Sequence, residues 1–233
     1  MMVRAARLYR HLEDESWARW AAGQSDFYAE NYRDCKIVRP WNAGRLFWQS
    51  LTEAVYLNKF LDTGRLLGSH VANERRERWR QSLFYPEVEV LRDTYRKIHH
   101  IACWQRGAMA QVALLFDDDA LWRKAVDGEC GLRQQLAEGV TSDYLWFEQS
   151  MVYNSYATKA FGALFLSAGM MGRAEALADE MSIVQNLMFS QLYYRFQDGK
   201  LPNPADSGAP RTTPDHDLLA GQYRVFPTAL GLQ

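Results

Sequence analysis

Ser142-Asp143-Tyr144-Leu145-Trp146-Phe147-Glu148-Gln149-Ser150-Met151-Val152-Tyr153-Asn154-Ser155-Tyr156 runs straight into an apolar stretch that reaches Gly169. Ser150 stands where an N-cap belongs, and the spacing predicts a helix over 150–171. On that helix Gln149 or Ser150, Tyr153, and Tyr156 or Ala157 recur at steps of three and four. They share one stripe, with Asn154 beside it. Phenols and an indole mixed with carboxyl and amide groups are unusual for plain core, where aromatics sit among Leu, Ile and Val. Two readings stay open here. Tyr153 and Tyr156 are core aromatics whose hydroxyls reach backbone carbonyls, or they line a cleft in which rings stack on sugar and hydroxyls bond its oxygens.

Outward from this stretch the chain reads as helices broken by turns. Val3, Ala6, Leu8, Leu12, Trp17 and Trp20 predict an amphipathic start, with Asp14 and Glu15 interrupting it or opening a second turn. Gly23, Pro40, Asn42 and Gly44 mark loop with short helical pieces, and Arg45 to Leu61 predicts a helix that ends at Gly64 and Gly68. His70 to Phe84 carries opposite charges at helical spacing and reads as a solvated face. Pro86 opens the next helix. His99 and His100 lie at the break before another, Cys103 to Phe116. Asp117, Asp118 and Asp119 read as a capping turn rather than a metal loop, which needs a longer alternation of ligands. Gly139 ends a short helix, and Arg173 to about Tyr194 is the last long one. The tail, with Pro210, Pro214 and Pro227, shows no helical period, so its deletion is expected to cost little. Strand patterns are scarce and no fixed-length repeat is visible. The expected class is all-α, built of successive antiparallel helical hairpins over residues 1–208 with an irregular tail over 209–233.

The 233 residues are 48% hydrophobic, enough for a sizeable core, and the net charge of -1 lacks the basic footprint of a nucleic-acid binder. An anionic ligand would have to meet a local cluster of groups. Three cysteines form no disulfide framework and no metal-ligand spacing, so neither metal nor cofactor is expected. No run is long and apolar enough for a membrane span, and Met1 to Trp20 has no apolar signal region.

Several pieces, in order, resemble the helical domain of heparinase II/III-like and alginate lyase-like polysaccharide lyases. They are Gly44 to Ala54, His99 to Trp104, Gly131 to Leu136, Trp146 to Ser150 leading to Tyr153 and Tyr156, and Asp198 to Pro202 with Asp206 and Ser207. The resemblance covers about residues 40 to 208 and implies an incomplete α/α toroid. It further implies β-elimination at a uronic acid of an alginate- or heparin-like polymer, the anionic polysaccharide being the expected partner. In such lyases a tyrosine protonates the leaving oxygen and, in some, also takes the C5 proton. An Asn or His pair upstream holds the sugar carboxylate. These roles map to Tyr156 and to His99 or His100. Gln49, Trp104, Trp146, Glu148, Gln149, Tyr153 and Asn154 are expected to meet substrate in one groove with them. A tyrosine base needs a positive neighbour, for which His100 or Arg106 is available. The resemblance also implies a β-sandwich domain beyond this chain, with the tail as its start, and a periplasmic or secreted location. A cytoplasmic one stays open, since no signal peptide is visible.

The chain departs from the pattern at two places. Asn154 stands where the family has His, and Gln149 where the alginate-type pattern often has Arg. Both favour an alternative, a non-catalytic or truncated relative that binds uronate oligosaccharides. A third reading, hydrolysis by Asp143 and Glu148, needs two carboxyls across one bond, and Glu148 serves equally as a charge at a helix start.

Overall fold

The computed structural model describes residues 1–37, 44–92, 94–202, 205–206 and 216–226. Pro40, Asn42, Pro204, Ser207, Gly208, Pro210, Pro214 and Pro227 lie outside them. The fold is all-α. Among the described residues no strand forms, and one isolated bridge joins Val140 to Trp146. No described helix is long and apolar enough to cross a membrane. The chain divides into two compact units, residues 1–94 with 108–122, and 95–107 with 123–233.

The first unit opens with α1 (Met2–Leu12) and α2 (Glu15–Asn31). Glu13 adopts the left-handed conformation and Asp14 accepts the Ser16 N–H at 2.8 Å, so a cap splits the expected amphipathic run in two. Helix α3 is Ser50–Leu67, starting five residues later than the expected Arg45. The cause is Glu53. Its carboxylate accepts backbone N–H groups from Arg45, Leu46 and Phe47 and the Tyr32 hydroxyl, the last at 2.8 Å. Those amides turn toward a side chain instead of entering the helix. Gly44 is required there, because a Cβ would stand 2.3 Å from the Phe47 carbonyl oxygen. Gly64 lies inside α3, and Gly68, in the left-handed region, ends it.

Helix α4 (Asn73–Trp79) passes through a π-turn at Arg80–Phe84 into α5 (Tyr85–Arg92). Pro86 has no N–H to give the carbonyl five residues back, Gln81, which accepts from Arg33 at 3.2 Å instead. Asp118 caps the helix α7 (Asp119–Val126), accepting the Leu121 N–H at 2.9 Å, as the acidic triplet predicts.

The second unit takes the start of α6 (His100–Phe116), then α8 (Leu132–Gly139), α9 (Met151–Met170) and α10 (Ala178–Tyr193). Where no helical period is visible in the tail, α11 (His216–Gln222) forms. Leu218, Leu219 and Phe226 are buried, and the Phe226 ring meets Phe165 of α9 edge-on. This stretch is docked, which corrects the expectation that the tail adds little. Leu218→Ala should lower unfolding free energy by about 3 kcal/mol, the usual size for a core truncation, measured by urea titration. An effect near zero would return the tail to the expected loose segment.

Glu87 of α5 is wholly buried, and among the described residues nothing donates to either oxygen. Burial, with the charge of Glu53 adding to it, pushes its carboxyl well above the usual range. A group raised on folding stabilises fully below its unfolded value, near 4.5, and loses that contribution as pH rises. That contribution should therefore fall from pH 5 toward 8, by up to about 1.4 kcal/mol per pH unit. Glu87→Gln should flatten that slope in melting curves taken across the range.

Candidate active site

Helices α6 and α9 lie together through small residues. A Cβ on Gly107 of α6 would stand 3.3 Å from the Ala160 carbonyl oxygen of α9. Seven residues before each of these positions come His100 and Tyr153, and their rings stack with centroids 3.9 Å apart and planes at 15°. Equal steps on both helices mean that the two run in the same direction at the same height, two turns or about 10 Å above the contact. Both helix starts therefore open at one end, where His100 and Tyr153 meet.

The chain reaches α9 through a tight loop. Gly139 ends α8, and a Cβ there would meet the Trp146 indole at 2.5 Å, so the ring packs against bare backbone. The Val140–Trp146 bridge and the Phe147 N–H to Gly139 carbonyl bond close the loop. Gln149 takes a left-handed conformation, φ 59°, and turns the chain into α9. Ser150 then caps that helix as expected, its Oγ accepting from the Tyr153 N–H at 3.3 Å.

This loop delivers Glu148 to the start of α6. Its carboxylate accepts the His100 backbone N–H at 2.8 Å and the Trp146 indole N–H at 2.6 Å, and lies 2.9 Å from His100 Nδ1. His99 Nε2 lies 3.4 Å from the same group. Burial pushes the Glu148 carboxyl up, but the His100 and Trp146 donors outweigh it and hold it down at about 2. For His99 the balance differs. Burial pushes its imidazole down to about 4 despite the carboxylate beside it, so near pH 7 the contact is a neutral N–H on a carboxylate, not an ion pair. His99 Nδ1 accepts the Ile101 N–H at 3.1 Å, which places the proton on Nε2.

The sequence-predicted residues now separate. His99, His100, Trp104, Glu148, Tyr153 and Tyr156 form one cluster. Tyr156 is 38% exposed, and its ring meets the edges of His100 and Trp104 at 6.2 and 6.4 Å. Among the described residues nothing hydrogen-bonds its hydroxyl. Tyr153 differs, since its hydroxyl donates to Asp206. That bond, partial burial and the charges of Asp206 and Glu148 raise its phenol to about 12. It acts as a platform under His100.

Trp146 and Asn154, expected to face substrate, are buried at 1% exposure. Asn154 Oδ1 accepts the Trp146 N–H at 2.9 Å and its Nδ2 donates to the Leu187 carbonyl at 3.0 Å, so its amide ties the loop to α10. Gln149 is exposed and lines a separate cavity of about 280 Å³ with Asp143 and Trp146. Glu148 is enclosed by N–H donors while Asp143 sits in the exposed loop, an arrangement unlike a hydrolytic carboxyl pair. Arg106 is buried, at 3% exposure. Gln49 belongs to the first unit, in extended conformation before α3. Asp206 was missed as a partner of Tyr153. It lies 53 residues away, and its place among the resembling pieces does not pair it with Tyr153.

His99, His100 and Glu148 bring ligating atoms within 4.8 Å of one another. A metal would need ring lone pairs aimed at the carboxylate. His99 Nδ1 accepts the Ile101 N–H, so its Nε2 carries the ring proton and offers no lone pair toward the carboxylate.

No family model matches the chain. It is similar to an exo-oligoalginate lyase of Saccharophagus degradans, 25% identical over 169 residues, 67% of this chain. The chain spans 23% of that protein's length. The similarity is to a polysaccharide lyase, at a level coarser than a named family.

The His99 shift sets a testable acid response. Its value falls on folding from 6.5 to about 4, so its contribution is present above 6.5 and lost as pH drops through the folded value. The corresponding Glu148 loss begins only below about 4.5. As pH drops from 6.5 to 4.5 the wild type should therefore lose melting temperature relative to His99→Phe in buffers of matched ionic strength, the opposing Glu87 contribution being common to both.

Proposed function

We propose that this chain is the helical part of a lyase that cleaves uronic-acid-containing polysaccharide by β-elimination, within an α/α toroid. The observation that carries the reading is the exposed Tyr156, its hydroxyl without a partner among the described residues, on the helix whose start is stacked against His100. In the elimination the C5–H bond breaks, its electron pair forms the C4–C5 double bond, and the C4–O bond breaks toward the leaving sugar. The phenolic proton of Tyr156 goes to that leaving oxygen. The C5 proton goes to a base, and the uronate carboxylate must be neutralised for C5 to lose it.

Of the histidine pair, His100 suits the carboxylate, to which Nε2 donates when the ring is protonated on both nitrogens. Both ring nitrogens of His99 face protein groups, whereas His100 Nε2 has no partner among the described residues. Trp104 stands beside Tyr156 as a wall for a sugar ring. The similarity to an exo-oligoalginate lyase favours an alginate-like substrate over a heparin-like one. A second reading, a uronate-binding relative without turnover, is favoured by Asn154, whose amide is fully engaged in structure where the resembling pattern has histidine.

The test is the unsaturated uronate product, followed by its ultraviolet absorbance on oligoalginate. Tyr156→Phe should lower the rate by about 10²- to 10⁴-fold, the range of a lost general acid. Oligoalginate binding with no product from the wild type would favour the second reading.

A further inference from the structure

We infer that Glu148 is a positioning residue, which holds His100 with its proton on Nδ1 and leaves Nε2 as the ring atom offered to substrate. What Nε2 meets rests on the lyase reading above: its lone pair accepts a proton, and once protonated it donates to a uronate carboxylate; the tautomer itself rests on geometry.

Three observations carry it. First, Glu148 receives N–H donors from two elements at once, the His100 main chain and ring on one side and Trp146 on the other. An ionised carboxylate can only accept, so each ring nitrogen facing it must carry a proton. Second, the His100 ring cannot turn to offer Nδ1 elsewhere. It is sandwiched by the stacked Tyr153 ring, itself anchored through Asp206, and bounded by His99 with centroids 4.5 Å apart. Third, the carboxylate sits at the first turn of α6, where unpaired amides and the helix dipole favour an anion. Depression of the Glu148 carboxyl to about 2 agrees with an ionised group throughout the working range. Glu148, read from sequence as a substrate contact, thereby acts one residue removed from substrate. The Nδ1 proton stays with the carboxylate, and any proton exchanged with substrate passes through Nε2.

The direct test is the ring nitrogen spectrum of the ¹⁵N-histidine-labelled chain at a pH where imidazoles are neutral, with His100 assigned by its absence in His100→Gln. Nδ1–H is expected in the wild type. In Glu148→Gln the amide offers one acceptor where four N–H groups converge, and its own N–H₂ can donate to Nδ1, so a substantial share of His100 should move to Nε2–H. Activity on oligoalginate should fall roughly 10- to 100-fold, as for a lost orienting partner. Wild-type His100 as the Nε2–H form, or no change of tautomer in Glu148→Gln, would overturn the inference. Should Glu148→Gln fail to fold, the wild-type spectrum alone decides. If the tautomer behaves as expected but the wild type makes no unsaturated product, the positioning stands and the lyase reading falls.

Discussion

The arrangement of the second unit depends on one carboxylate. Glu148 arrives from a loop fixed to α8 and α10 and ends at the first turn of α6, so it ties three elements to a common point. A charge this enclosed is tolerable only because N–H groups replace its water. Breaking such a set by removing one member leaves the rest uncompensated, which typically costs about 3–5 kcal/mol. The same bonds that hold the loop also orient the imidazoles, so stability and site geometry cannot be altered separately here.

The second constraint is the close parallel approach of α6 and α9. Gly107 allows it, since any side chain there must press on the Ala160 backbone. Stacking of His100 on Tyr153 is the consequence two turns away. The aromatic platform and the histidine are thus placed by helix geometry, and the loop adds the charge that orients them.

Much of this was legible in the sequence. The helical period, the Ser150 cap and the meeting of His100 with Tyr153 and Tyr156 all follow from spacing or resemblance. What was not legible has physical causes. Glu148, Trp146 and Asn154 advertise hydrogen-bonding capacity, but a sequence does not say which partner absorbs it. In the fold they satisfy protein groups rather than an open surface. The late start of α3 comes from Glu53 drawing three amides out of the helix, a pull from eight residues downstream at its furthest. Helix α11 is too short to show a period, and Leu218, Leu219 and Phe226 find burial only once α9 is present. Gln49 falls in the other unit, so its part in any groove is not carried by the cluster described.

The matched spacing of α6 and α9 also governs which changes of chain length the fold can absorb. One residue inserted between 100 and 107 alone would swing the imidazole by about 100° and shift it about 1.5 Å along the axis, parting it from the tyrosine. The same insertion between 153 and 160 would restore the common height but, turning in the same sense, would carry the tyrosine to the opposite side of the helix pair. Length changes in these two stretches are therefore viable only as near-whole turns made in both, whereas the turn after Met170 can lengthen without disturbing them. Diversification of this scaffold should run through side-chain replacement around Tyr156 and through its outer turns, with the two helix starts kept in step.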